Sequence, residues 1–155
     1  MRNQTCCFTG HRRIDPTLYS ILAKNLNATI EYLIKTGYRY FGAGGALGFD
    51  TMAAQCILKL KEKYPHIKLI LVLPCLSQAD HWSHNDITIY ETIKSKADKV
   101  VYTSKEYTKD CMFKRNRHLV DNSSVCVCYL TKTIGGTAYT VKYAAQQGIR
   151  IINIS

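Results

Sequence analysis

From Thr5 to Ile154 the chain keeps changing its hydrophobic period. A short apolar run gives way to a segment whose apolar residues recur every three or four positions, and the pattern then repeats. The strand-like runs are Thr5–Thr9, Tyr38–Ala43, Ile67–Leu73, Lys99–Thr103, Val125–Leu130 and Arg150–Ile154. Between them the spacing predicts helices from about Pro16 to Gly37, Phe49–Tyr64, His81–Lys96, Cys111–Asn122 and Thr137–Gln147. In the first of these, Leu18, Ile21, Leu22, Leu26, Ile30 and Leu33 form the apolar stripe. Alternation of this kind calls for a parallel sheet with its connecting helices on both faces. The expected architecture is one α/β, Rossmann-like domain over residues 1–155, mostly parallel, with its site at the carboxyl ends of the strands.

A chain of 155 residues, 46% of them hydrophobic, has the material for one real core. Its apolar runs are too short to span a bilayer. No apolar signal segment follows Met1–Thr5, so the cytoplasm is the expected compartment and no membrane partner is expected. The seven cysteines are odd in number and form no CxxC pair, which reads as free thiols used as small hydrophobes. Cys6 and Cys7 should face opposite sides of one strand, and Cys126 and Cys128 should share a face. Cys75, just after Pro74, is the thiol expected near the site. Lysine and arginine outnumber the acids by 21 to 11, a net charge of +10. That excess suits a polyanion or a small phosphorylated ligand alike, because the cations are spread rather than run together.

Three glycine-bearing turns follow apolar runs: Phe8–Arg12, Gly42–Asp50 and Gly135–Thr137. A strand that ends in glycine and opens a helix aims several backbone N–H groups, backed by the helix dipole, at one point, which makes an anion cradle. Gly10, Gly44, Gly45, Gly48, Gly135, Gly136 and Thr137 are the candidate cradle residues. Arg12 can fork onto a phosphate, and His11 beside it is a titratable group near neutrality. Asp50 suits either a helix cap or a ribose hydroxyl. Arg115 and Asn116 lie on a helix, where they form either donors to a ligand or a solvated basic face. Trp82 suits stacking on a base, closing a pocket, or plain packing. His81 and His84 lack the further ligands that zinc requires. No aromatic cluster of the kind that stacks bases is visible along the chain.

These segments, in order, resemble the SLOG superfamily. The matching residues are Gly44–Asp50 with Thr51-Met52-Ala53-Ala54, then Arg115-Asn116 with Leu119-Val120-Asp121, and Gly135-Gly136-Thr137 with Thr140-Val141 and Ala144-Ala145. The superfamily joins Smf/DprA DNA-processing proteins, cytokinin-activating LOG proteins and YpsA-like proteins. Thr9-Gly10-His11-Arg12, the set Gln78, Trp82 and Tyr90, and Arg115-Asn116 place the likeness nearest the YpsA-like branch. It covers nearly the whole chain. The resemblance implies a Rossmann-like sheet that binds nucleotides or their derivatives, and pairing into a homodimer or a larger homo-oligomer. In LOG-type phosphoribohydrolases a PGGxGTxxE segment supplies a catalytic glutamate. Here Thr140 stands at that position and no proline precedes the glycines.

The leading expectation is therefore a binding module for a nucleotide-derived phosphorylated ligand, such as an ADP-ribose-like or cyclic nucleotide species. It assigns no catalytic residue, no metal site and no cofactor. Two alternatives stay open: an N-glycosidase or phosphoribohydrolase that uses Asp50 or His11, and a DprA-like protein that binds single-stranded DNA.

Overall fold

The computed structural model describes the whole chain, Met1–Ser155. A 3-10 turn at Arg2–Gln4 precedes β1 (Thr5–Gly10), α1 (Tyr19–Lys35), β2 (Tyr40–Ala43), α2 (Phe49–Lys63) and β3 (Lys68–Leu73). There follow α3 (His84–Lys96), β4 (Lys99–Tyr102), α4 (Cys111–Asp121), β5 (Val125–Tyr129), α5 (Gly136–Gln146) and β6 (Arg150–Asn153). The six strands form one sheet in the order β4-β3-β2-β1-β5-β6. Every neighbouring pair is parallel. No helix is long and apolar enough to cross a membrane.

The order fixes where a ligand site belongs. From β1 the chain steps outward to β4, then crosses back to lay β5 on the other side of β1. Right-handed crossovers put connections that run in opposite directions on opposite faces of the sheet. Accordingly α1, α2 and α3 pack on one face with Cys6, Phe8 and Phe41, while α4 and α5 pack on the other with Cys7, Cys126 and Cys128. The reversal opens a crevice between the carboxyl ends of β1 and β5, the position at which open α/β sheets bind ligands.

Local chemistry explains the ends of the elements. Gly37 (φ 110°) and Gly148 (φ 75°) turn the chain out of α1 and α5 in a left-handed conformation that suits glycine. In each case a residue beyond the turn returns its N–H to the helix: Tyr38 to Leu33 at 3.0 Å, and Ile149 to Ala144 at 3.3 Å. α3 starts at His84 rather than at the expected His81, because the Ser83 hydroxyl caps it by accepting the Asp86 N–H at 3.1 Å. His81 therefore lies outside the helix and does not share a face of it with His84. α1 also starts later than expected, at Tyr19, and its stripe shifts. Leu22, Leu26, Ile30, Leu33 and Ile34 are buried, whereas Leu18 and Ile21 face solvent.

The larger core layer holds a run of rings. Phe8 lies 6.3 Å from Phe41 and 6.5 Å from Phe49, and Phe49 lies 6.1 Å from Tyr129. All three phenylalanines are essentially without solvent contact, and burying such a side chain stabilises by about 1.5–3 kcal/mol. The run ends at His11, whose ring meets Tyr129 edge-on at 5.4 Å. Core packing thus reaches to the crevice and sets the position of its first titratable group.

Candidate functional site

The crevice is a hollow of about 330 Å³. Thr9, Gly10, His11 and Arg12 enter it from the end of β1, and Ala46 and Asp50 from the start of α2. Met112, Phe113, Arg115 and Asn116 come from α4, and Lys132, Ile134, Gly135, Gly136 and Thr137 from the end of β5 and the first turn of α5. Residues from four separate stretches of sequence share one wall because β1 and β5 are neighbours in the sheet.

His11 ties two of those stretches together. Its Nε2 accepts the Thr131 N–H at 2.9 Å. Burial, and then the charge of Lys132, pull its pKa below the ordinary value. The imidazole is thus held neutral at pH 7, with its acceptor nitrogen already in use. The backbone of the same loop runs against α2, where Phe49 donates its N–H to the His11 carbonyl at 3.2 Å. Gly48 (φ 78°) makes that approach feasible: a Cβ there would overlap the Arg12 carbonyl and lie 2.7 Å from its Cα.

Arg115 and Asn116 are the frame of the hollow. Arg115 is only 4% exposed. Its Nη1 donates to the Gly44 carbonyl and its Nε to Asn116 Oδ1 at 2.7 Å. Asn116 Nδ2 donates to Thr140 Oγ1 at 2.9 Å, and the Thr140 hydroxyl donates to the Gly136 carbonyl at 2.9 Å. One polar chain therefore joins the Gly44 turn to the start of α5 through α4. Asp50 stands opposite Arg115 across Gly44, whose hypothetical Cβ would lie 2.5 Å from Arg115 Nη1 and 2.8 Å from Asp50 Oδ2. The Asp50 carboxylate accepts the Ala46 N–H at 3.2 Å rather than capping α2. Burial pushes its pKa up, and Arg115, the Ala46 N–H and Arg12 hold it back.

Of the residues singled out in the sequence, Gly10, His11, Arg12, Asp50, Arg115, Asn116, Gly135, Gly136 and Thr137 line the hollow. Gly44, Gly45, Gly48 and Trp82 do not. Gly44 supplies the carbonyl for Arg115 from behind the wall. Gly45 packs against Leu73, Tyr90 and Gln78. Trp82 meets Tyr90 edge-on at 5.2 Å. Gln78, Trp82 and Tyr90 thus gather behind the Gly44–Gly45 turn, and the Gln78 amide and Tyr90 hydroxyl are buried there without a protein partner. Cys75, expected near the site, is fully buried instead, with its Sγ 3.7 Å from the Ser77 hydroxyl. It follows β3, which lies two strands away from β1 and the crevice.

Sequence reasoning missed Phe113, Lys132, Ile134 and Tyr139. The rings of Phe113 and Tyr139 meet at 4.5 Å, so an aromatic cluster does exist at this end of the molecule. Its members lie on α4 and α5 and meet only because those helices are neighbours. Lys132 did carry a signal: it follows a buried strand at the end where sites form.

The chain is similar over nearly its full length to known proteins. Residues 6–152 match the family model described as the YspA SLOG family. An SPbeta prophage-derived protein, YoqJ, of Bacillus subtilis (strain 168) is 32% identical over 143 residues, which span 84% of this chain and 83% of that protein. Among solved structures, DNA processing protein A from Helicobacter pylori, described as binding single-stranded DNA, superposes with a TM-score of 0.67 at 20% identity over 97% of this chain. DNA processing protein A from Streptococcus pneumoniae does so with a TM-score of 0.68 at 15% identity over 96% of it. This chain spans only 64% and 49% of those two proteins, so the likeness is one of fold. With the glycine turns, the Arg115-Asn116 frame and the sheet order in place, the match over residues 6–152 shows that the chain belongs to the YspA SLOG family.

Proposed function

We propose that the hollow binds the phosphate of a nucleotide-derived ligand, of the ADP-ribose-like or cyclic nucleotide kind, and that the protein works by holding this ligand rather than by turning it over. One observation carries the reading. The N-terminus of α5 at Gly135–Thr137 opens into the same hollow as the exposed cations Arg12 and Lys132, at the point where the strand order reverses. Helix N–H groups and guanidinium donors favour an anion at that point. Arg115 adds positive charge from within the wall, where its Nη1 and Nε are bonded to Gly44 and Asn116. Thr140, at the position of the LOG-type glutamate, is buried with its hydroxyl bonded on both sides. It supplies neither a base nor a carboxylate to offset a developing cation.

Calorimetric titration with ADP-ribose and with AMP tests this reading. Arg12→Ala removes an exposed charged donor and leaves the frame intact. The expected loss is about 1.5–3 kcal/mol, the range for a hydrogen bond to a charged group. Unchanged affinity takes Arg12 out of the site, and chromatographic detection of a cleaved product replaces holding with catalysis. A second reading, single-stranded DNA laid across the hollow, is favoured by the net charge of +10 and by Lys114 and Lys132, both exposed at this end of the molecule. It requires affinity that rises with strand length and falls steeply with salt.

A further inference from the structure

The rim of the hollow is not polar all round. Phe113 is 36% exposed, Tyr139 39% and Ile134 80%, and Phe113 and Ile134 line the hollow itself. Single exposed apolar side chains are ordinary, but three gathered at the mouth of a cationic cradle ask for an occupant. The aromatic pair is held in place. The two rings cross at 60°, and Arg117 Nη1 donates to the Tyr139 hydroxyl at 3.0 Å. A ring fixed by a hydrogen bond offers its face with little further loss of side-chain freedom.

We infer that Phe113 and Tyr139 form a platform on which the base of a single nucleotide stacks while its phosphate occupies the cradle at Arg12, Lys132 and the start of α5. The inference rests on the phosphate reading above and deepens it by assigning the residues that would hold the base. A bare phosphate or a sugar phosphate would use the cations and leave the aromatic rim idle, whereas a nucleotide carries one part for each. Aromatic faces accept any base, so the platform predicts a preference for nucleotides over base-free phosphates rather than for one base over another.

The test compares AMP with ribose 5-phosphate by calorimetry at constant salt, on the full chain and on its Phe113→Ala, Tyr139→Ala and Phe113→Trp variants. Both alanine substitutions lie at an exposed position, and circular dichroism reports whether each variant is folded. AMP is expected to bind more tightly than ribose 5-phosphate. Phe113→Ala should weaken AMP by about 5- to 150-fold, the range for loss of one stacked base, leave ribose 5-phosphate unchanged, and be countered by Phe113→Trp. Equal affinity for the two probes, or an equal loss of both in Phe113→Ala, overturns the platform. If the two bind equally and both weaken in Arg12→Ala, the phosphate reading survives alone. If neither binds, both fall. Oligothymidylate that binds far more tightly than AMP, increasingly so with length, replaces the single nucleotide with a strand.

Discussion

Gly48→Ala is expected to destabilise the protein by about 3 kcal/mol or more, while Gly136→Ala, in the wall of the hollow, is expected to cost almost nothing. Gly48 has φ 78° and ψ −118°, a region that L side chains rarely adopt. Strain of that kind is worth about 1–3 kcal/mol. The added methyl group would also overlap the Arg12 carbonyl group and come within 2.7 Å of Arg12 Cα. That neighbour is backbone and cannot swing aside, and overpacking of this sort adds about 1–3 kcal/mol. At Gly136 a Cβ meets nothing within 4 Å, so the change should stay within about 0.5 kcal/mol. Thermal unfolding followed by circular dichroism separates the two. A chain of this size loses about 2–4 °C per kcal/mol, so Gly48→Ala should melt about 6–12 °C below the wild type and Gly136→Ala within about 2 °C of it. A Gly48→Ala protein that melts with the wild type would show that the loop at His11–Arg12 is not pinned against α2, and the positioning argument for both residues would go with it.

Arg115→Met should cost about 3–5 kcal/mol in urea unfolding, since it leaves Asp50 buried without its guanidinium neighbour and strips a donor from the Gly44 carbonyl and from Asn116. Adding Asp50→Asn should recover part of that loss, and a single variant within about 1 kcal/mol of wild type would remove Arg115 from the frame. His11 should make stability depend on pH. Its folded pKa is lowered, so the unfolded chain takes up the proton first as pH falls, and the stabilisation present above about 6.5 is lost below it. The stability difference between wild type and His11→Ala should therefore shrink from pH 8 to pH 5. A difference that stays constant or grows toward acid would mean that the folded pKa is not lowered and that the His11 Nε2 does not accept the Thr131 N–H.

The fold was legible because period and punctuation agree along the chain. Val125–Tyr129 is apolar at every position, as a strand covered on both faces must be, and Gly37 and Gly148 stand where left-handed turns are needed. What period could not show was where a helix begins. The His81–Ser83 stretch fits the spacing of α3, but a serine able to cap at Ser83 ends the choice three residues later. Leu18 lies before the first turn of α1, and Ile21 points away from the face that Leu22, Leu26, Ile30 and Leu33 bury, so both face water.

The site was legible to a lesser depth, and for a physical reason. Residue type shows which side chains can hold an anion, but not which of them the fold leaves exposed. Arg12 and Arg115 look alike in sequence. In the structure Arg12 is exposed at the mouth of the hollow, while Arg115 is buried in its wall with Nη1 and Nε bonded to Gly44 and Asn116. The glycines divide in the same way. Gly135 and Gly136 open to the hollow, whereas Gly44 and Gly48 are small so that Arg115 and the Arg12 backbone can pass behind it. Residues that build the hollow therefore come from the strongest sequence motifs, as do Arg12 and Gly135–Thr137 of the proposed phosphate cradle, whereas Phe113, Lys132 and Tyr139 at the rim belong to no motif. On the proposed reading, ligand choice is set by the rim on a packed frame: changing Phe113 or Lys132 should alter what is bound, and changing Arg115 or Gly48 should alter whether there is a hollow at all.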